Sequence, residues 1–233
     1  MVRMRIVIPL LVLLLAATPS EAATRNFGVS GFDRVRIEGP YRVTLTTGIA
    51  PFARAIGSAS ALDGLAIDVQ GRTLVVRPRR STASGYLSES PGTVDIVIGT
   101  HELSAAWLNG AGSLAIDRVR GLMFDLSVQG SGLASIGEVA VDQLKVGLGG
   151  SGSARISGAA LKLTTIMRGM ATLDAGELAV KDLVLGAEGP ATVRLNVTGT
   201  AQVDARGTAA VTFTGGPRCE TRVAGSASVS GCR

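Results

Sequence analysis

The sequence predicts an all-β fold: a single-chain β-solenoid, of the right-handed parallel β-helix kind, with an irregular β N-terminal half. Glycines return at a fixed interval, in Gly110-Ala-Gly112, Gly130-Ser-Gly132, Gly150-Ser-Gly152, Gly169-Met-Ala171, Gly189-Pro-Ala191, Gly207-Thr-Ala209 and Gly225-Ser-Ala227, spaced 20, 20, 19, 20, 18 and 18 residues apart. A period near 20 marks a stacked repeat. Between the glycines, apolar and polar residues alternate. Phe124, Leu126 and Val128 precede Gly130, and Ala134 and Ile136 follow it; Leu144, Val146 and Leu148 precede Gly150, and Ala154 and Ile156 follow it. Period two means an extended chain with one face buried. The same relative place is apolar in coil after coil, so equivalent side chains stack in columns. At about 4.8 Å per strand, the array makes a rod roughly 30 Å long. The right hand follows from the rule for parallel crossovers.

The small residues of each glycine pair read as lying on the inward track, at a corner that a larger side chain does not fit. A second corner falls at 117–121, 137–141, 176–182, 198–200 and 215–218. The coils shorten from 20 to 18 residues through this corner, so length changes are expected there.

Taken in order, residues 1–22 read as an export signal. Arg3 and Arg5 form the charged start, residues 6–17 are an apolar run broken only by Pro9, and Ser20-Glu21-Ala22 fits a small-x-small site with cleavage after Ala22. The run is shorter than the roughly 20 residues needed to span a bilayer. The expected product is periplasmic, secreted or at the cell surface, with no transmembrane segment in the mature chain. Residues 23–233 read as one domain, with 23–108 an irregular cap and 109–233 regular coils.

Phe32 to Glu38 and Tyr41 to Leu45 alternate as two strands, with Gly39-Pro40 as the turn between them. Residues 52–60 are less regular and 61–65 form a link. Residues 66–76 read as a hairpin turning at Gly71-Arg72. Residues 80–92 are polar and turn-rich, 93–98 form another strand, and 103–108 lead into the first regular glycine. No helix is expected after the signal.

Composition agrees with a narrow aliphatic interior, since glycine is abundant (31 residues) and aromatics make up only 3%. The net charge of +5 becomes +4 without residues 1–22, which hold two Arg and one Glu. The basic residues are scattered and not interleaved with aromatics. Arg77-Pro78-Arg79-Arg80 therefore reads as a solvated strand end, and nucleic acid is not expected as a partner.

Cys219 and Cys232 both lie in the last coil of a chain expected to reach an oxidising compartment, so a disulfide is the default. Cys219 falls six residues before Gly225, in the column of Phe124, Leu144 and Leu183. A bridge to Cys232 closes the open end of the rod.

The opening Gly31-Phe32-Asp33-x-Val35-x-Ile37 has a recognisable order with two later segments. These are the hairpin Leu65-x-Ile67-x-Val69-x-Gly71-x-x-Leu74 and the run Val94-x-Ile96 … Leu103 … Gly110-Ala-Gly112. Together they resemble the head GIN domain family over about residues 27–231. That family is described as autotransporter adhesins and is otherwise a bacterial domain without an assigned role. Its Gly-Ser-Gly repeats stand at 130–132 and 150–152 and become Gly-x-Ala afterwards. The resemblance implies an all-β helical solenoid and brings no catalytic residues with it.

Motifs for chemistry are absent or incomplete. Gly149-Gly-Ser-Gly-Ser153 lacks the Lys-Ser/Thr and the helix of a phosphate cradle. The period of 20 and the missing aspartates argue against calcium-binding nonapeptides. His101 is the only histidine, beside Glu102 in a turn, and no nucleophile-elbow serine accompanies it. No metal, cofactor or catalytic residue is expected. The outward acids Asp117, Asp125, Glu138, Asp142, Asp174, Glu177, Asp182 and Glu188 do not recur in one column. Trp107 sits beside the inward Leu108 and so faces out, as a contact residue or as a cover over the loop. Asn196-Val-Thr198 fits a glycosylation acceptor only by coincidence.

The expected function is a non-enzymatic envelope or surface protein, adhesin-like, that binds an envelope protein or glycan through an outward strand face. The alternatives are a glycan-active β-helix enzyme and a purely structural spacer.

Overall fold

The computed structural model describes residues 22–79 and 93–233, so the export signal before residue 22 and the loop 80–92 lie outside the described residues. The chain is 74% strand and 3% helix, with a β-solenoid of about 6 turns. In order it runs through β1 (Ala23–Phe27), β2 (Arg34–Glu38), β3 (Arg42–Thr47), β4 (Phe52–Gly57), α1 (Ala59–Asp63), β5 (Leu65–Gln70), β6 (Thr73–Pro78), β7 (Asp95–Thr100) and β8 (Ala105–Gly110). The long coil strands follow: β9 (Ser113–Gly130), β10 (Leu133–Gly150), β11 (Ser153–Gly169), β12 (Thr172–Glu188) and β13 (Thr192–Gly207). The last coil is split into β14 (Ala210–Thr214), β15 (Arg218–Gly225) and β16 (Ser228–Ser230).

Neighbouring coils pair in parallel and in register, Leu126 with Val146, Val146 with Thr165, Thr165 with Leu185. The predicted columns are therefore real, and all of these residues are buried. Within each coil the inward alternation changes phase twice. In β10 the buried residues are Ala134 and Ile136, then Val139 and Val141, then Leu144, Val146 and Leu148. Each coil thus has three flat sides, and aliphatic side chains from all three fill the interior. Thr165 interrupts its aliphatic column with a buried hydroxyl that has no hydrogen-bond partner.

The differences in coil length are absorbed after the first side, as the sequence predicts. Ile136 pairs with Ile156, 20 residues on, but Val139 pairs with Gly158, 19 residues on. The register also shifts between Ala175 and Ala179.

The glycine corner differs from expectation in one respect. Only the second residue of each pair is inward: Gly112, Gly132, Gly152, Ala171, Ala191 and Ala209 are buried. The first lies on the outside of the corner, with φ between +79° and +118° from Gly110 to Gly225. A Cβ on Gly130 would sit 2.7 Å from the Gly110 carbonyl oxygen, and one on Gly150 would sit 2.7 Å from that of Gly130. Glycine is required there by backbone conformation and by close stacking, not by a lack of interior space.

The irregular N-terminal half is itself stacked on the rod. β2 pairs in parallel with β8, and β3 with β9, so β2 and β3 are not a hairpin. They form the two sides of a coil whose corner is Gly39-Pro40-Tyr41. Gly39 has φ +121° and lies against Gly110, and so continues the glycine column, with a buried Tyr41 in the inner place. β6 and β7 stack on the other side of this coil, against β2 and β3 respectively. β5 pairs antiparallel with β6 through the predicted Gly71-Arg72 turn, and β1 and β4 add antiparallel strands beside β7. The prediction of no helix is corrected at α1. It is five residues long, and Ser58 caps it by accepting a hydrogen bond from the Ala61 N–H.

Asp33 ties these N-terminal pieces together and is buried. The Arg72 guanidinium donates to both carboxylate oxygens, Nε to Oδ1 at 3.0 Å and Nη2 to Oδ2 at 2.8 Å. The Ser104 hydroxyl donates to Oδ2 at 3.1 Å, and the Ser104 N–H donates to the Asp33 carbonyl at 2.7 Å. Burial pushes the Asp33 carboxyl up, but the hydrogen bonds from Arg72 and Ser104 outweigh it and hold the group below its ordinary value.

At the other end, Cys219 and Cys232 form a disulfide, with Cα atoms 5.7 Å apart. Cys219 is in the predicted column, above Ala201. The bridge closes a loop in a coil with few buried residues, so its effect is local. Reduction is expected to lower stability by about 1–2 kcal/mol, less than the roughly 3 kcal/mol typical of such a loop. Thermal melts with and without reductant, with thiol titration, check this; an unchanged melting temperature would count against it.

Candidate functional site

The third side of the coil, residues 124–130 and their equivalents, carries one outward column that is unlike the others. It lies three residues before each corner glycine and reads Arg36, Trp107, Ser127, Gly147, Ile166, Gly186, Asp204, Arg222 along the rod. Trp107 faces out, as expected, and is half-buried. Arg36, its lateral neighbour in the ladder, places its guanidinium carbon 5.6 Å from the ring centroid. This is a cation–π contact that fixes the indole against the sheet.

Beyond Trp107 the column is nearly bare. Gly147 and Gly186 do not have positive φ, and a Cβ on Gly186 would meet nothing within 4 Å. On Gly147 the nearest atom is the Ser127 Oγ at 3.8 Å, an ordinary contact. Neither glycine is needed by the backbone or by packing, yet glycine inside a strand costs roughly 0.5–1 kcal/mol relative to alanine. A bare stretch of strand admits close approach of another molecule. Ile166 stands between the two glycines and is 54% exposed. From Trp107 to Ile166 is three coil intervals, about 14 Å.

Polar side chains flank this strip. On one side stand Asp125, Lys145, Thr164 and Gln202; on the other stand Gln129, Arg168 and Glu188. Around Gly186, the residues Thr164, Ile166, Val184, Gln202 and Asp204 line a shallow, mainly apolar hollow of about 330 Å³. The result is a slot along the rod axis, with an aromatic platform at one end, a bare floor, and hydrogen-bonding groups along both rims.

The other sequence-derived candidates do not come together. His101 lies in an exposed turn on a different hollow, with Thr47, Glu102 and Arg118. Glu138 is paired with Arg120 at 3.2 Å, and Asp174 with Arg155 at 3.2 Å. Asp182 accepts from the Thr200 hydroxyl at 2.6 Å and from its N–H at 3.2 Å, and these bonds lower its pKa. A general acid for glycoside cleavage needs the opposite shift. Among the described residues, no group of three or more His, Cys, Asp or Glu is placed to hold a metal ion. Also among them, no helix is long and apolar enough to cross a membrane, which leaves strand-built membrane passage unaddressed.

Sequence reasoning missed Arg36, Gly147, Ile166 and Gly186. The signal was present as the position three before each corner glycine, where Gly147 and Gly186 are the only glycines.

The model of a family described as "Putative auto-transporter adhesin, head GIN domain" matches residues 31–217. No curated protein matches the chain. Several solved structures share the fold. A "putative adhesin" from Bacteroides fragilis superimposes with a TM-score of 0.77 at 17% identity, covering 90% of this chain and 95% of its own. A "putative lipid binding protein" from Parabacteroides distasonis gives 0.71 at 18% identity, with 89% and 95% covered. A "putative adhesin" from Parabacteroides merdae gives 0.65 at 15% identity, with 90% and 95% covered.

Proposed function

Because the chain belongs to the head GIN domain family, whose description is that of an adhesin, we propose that it is an exported, non-enzymatic binding protein of the cell envelope or surface. Its ligand is an extended carbohydrate chain lying along the third side of the rod. The single observation that carries this reading is the slot from Trp107 over Gly147, Ile166 and Gly186. Sugar rings present an apolar face that stacks on an indole, and hydroxyls that pair with amides and charged groups. The slot offers both in that arrangement. An extended polymer also matches a surface that repeats along one axis. The aliphatic interior is filled, so the ligand is held outside the rod.

Trp107 is the only tryptophan in the chain, and its fluorescence reports on the slot directly. Titration with soluble fragments of cell-wall and extracellular glycans is expected to give a saturable change with at least one of them, with no product released. Trp107→Ala is expected to weaken retention of that glycan about tenfold. Gly186→Arg is expected to abolish it while the melting temperature holds. Unaltered binding by both variants would remove the slot from the reading, and product release would replace it with glycan cleavage.

A further inference from the structure

β15, the last strand of the third side, has a neighbour on one edge only. It pairs with β13 below and, among the described residues, with no other strand. In this rod the outward residues direct their N–H groups to the preceding coil: Ser153 donates to Gly132 at 2.9 Å, and Ser228 donates to Ala209 at 2.8 Å. Backbone groups of the inward residues therefore face the following coil. In β15 these are Cys219, Thr221 and Val223, so their N–H and C=O groups face the open end. The inward track is uncovered there too. Ala205 is fully buried, whereas Val223, directly above it, is 49% exposed.

We propose that a second copy of this chain covers this end, β15 pairing antiparallel with β15 across a two-fold axis through Thr221. Two conditions select that register. Residues that exchange backbone hydrogen bonds must be the inward ones, since only these have free groups. With Thr221 opposite Thr221, Cys219 of each copy lies opposite Val223 of the other, and every free donor faces a free acceptor. The outward residues then form the closer, non-hydrogen-bonded pairs, and Glu220 of each copy lies opposite Arg222 of the other. Sliding by one allowed step in either direction puts Glu220 against Glu220 with Arg218 against Arg222, or Arg222 against Arg222. Like charges directly opposite each other are destabilising. Charge complementarity therefore admits one register and opposes both of its neighbours. The two third sides become one continuous sheet, and Val223 is covered.

Light scattering on a sizing column and sedimentation equilibrium test this with the purified protein. The protein is expected to run as a dimer that dissociates on dilution. Arg222→Glu and Glu220→Arg, each placing like charges opposite each other, are expected to weaken the dimer by at least about tenfold. The double reversal, Glu220→Arg with Arg222→Glu, is expected to restore it. All these positions are exposed, and an unchanged melting temperature at high dilution shows that each variant is folded. A protein that stays monomeric at every concentration overturns the proposal, as does a dimer indifferent to the single reversals. A double reversal that stays monomeric overturns the register.

Discussion

Replacing Gly130 with alanine is expected to cost about 4 kcal/mol of unfolding free energy, enough to unfold a marginal domain. Gly130 has φ +107°, a region in which an L-residue is strained by about 1–3 kcal/mol. The new methyl would also sit 2.7 Å from the Gly110 carbonyl oxygen. Backbone stacking fixes that oxygen, so relief requires the coils to separate, and overpacking of this kind adds a similar amount. The same change at Gly186 meets open space at ordinary φ and is expected to be neutral or to stabilise by up to about 1 kcal/mol. Denaturant melts of the two variants side by side check this. Equal effects at both sites would mean that the glycine column is not held by stacking.

The second large effect is expected at Asp33. Asp33→Ala removes a buried carboxylate that accepts two charge-assisted bonds from Arg72 and one from Ser104, and a loss of about 3 kcal/mol follows. Because Arg72 is itself largely exposed, water replaces part of what it loses, and the figure stays well below that of a fully buried pair. The sign of the pH dependence is fixed by the lowered pKa. A carboxyl held below its unfolded value of about 3.9 contributes stability above that pH, and this is lost as pH falls through the folded value. The stability gap between the protein and Asp33→Asn is therefore expected to be constant from neutral pH down to about 5 and to narrow below about 4. A gap that is flat to the acid limit would show that the carboxylate charge is not what stabilises this junction.

Much of the rod could be read in the sequence because its physics is local and repeated. Phe124, Leu126 and Val128 recur as Leu144, Val146 and Leu148, so their shared column needed no knowledge of the fold. Cys219 could be placed by the same count, since a period assigns every residue of a coil to a side. What escaped was set by long-range pairing. Gly39-Pro40-Tyr41 belongs to the glycine column, but Tyr41 stands where the other coils carry Gly or Ala, and an insertion separates it from Gly110. Ser58 was the sole cap signal for a helix of five residues. Trp107 was found, but Arg36, which stacks on it, is adjacent only because β2 and β8 pair. The difference between a glycine demanded by φ, such as Gly150, and one that is not, such as Gly186, exists only in three dimensions.

The coil made by β2 and β3 comes first in the chain, yet both coils that sandwich it come later, as β6 with β7 and as β8 with β9. Its strands therefore have no ladder partners until the whole insertion and the first regular coil have been made. The coils from β9 to β13, by contrast, close contacts only about 20 residues apart. Loop-closure entropy favours these short-range contacts in the earliest stage of folding. The residues synthesised first are thus the last to be locked in, and the array grows backwards toward its own beginning.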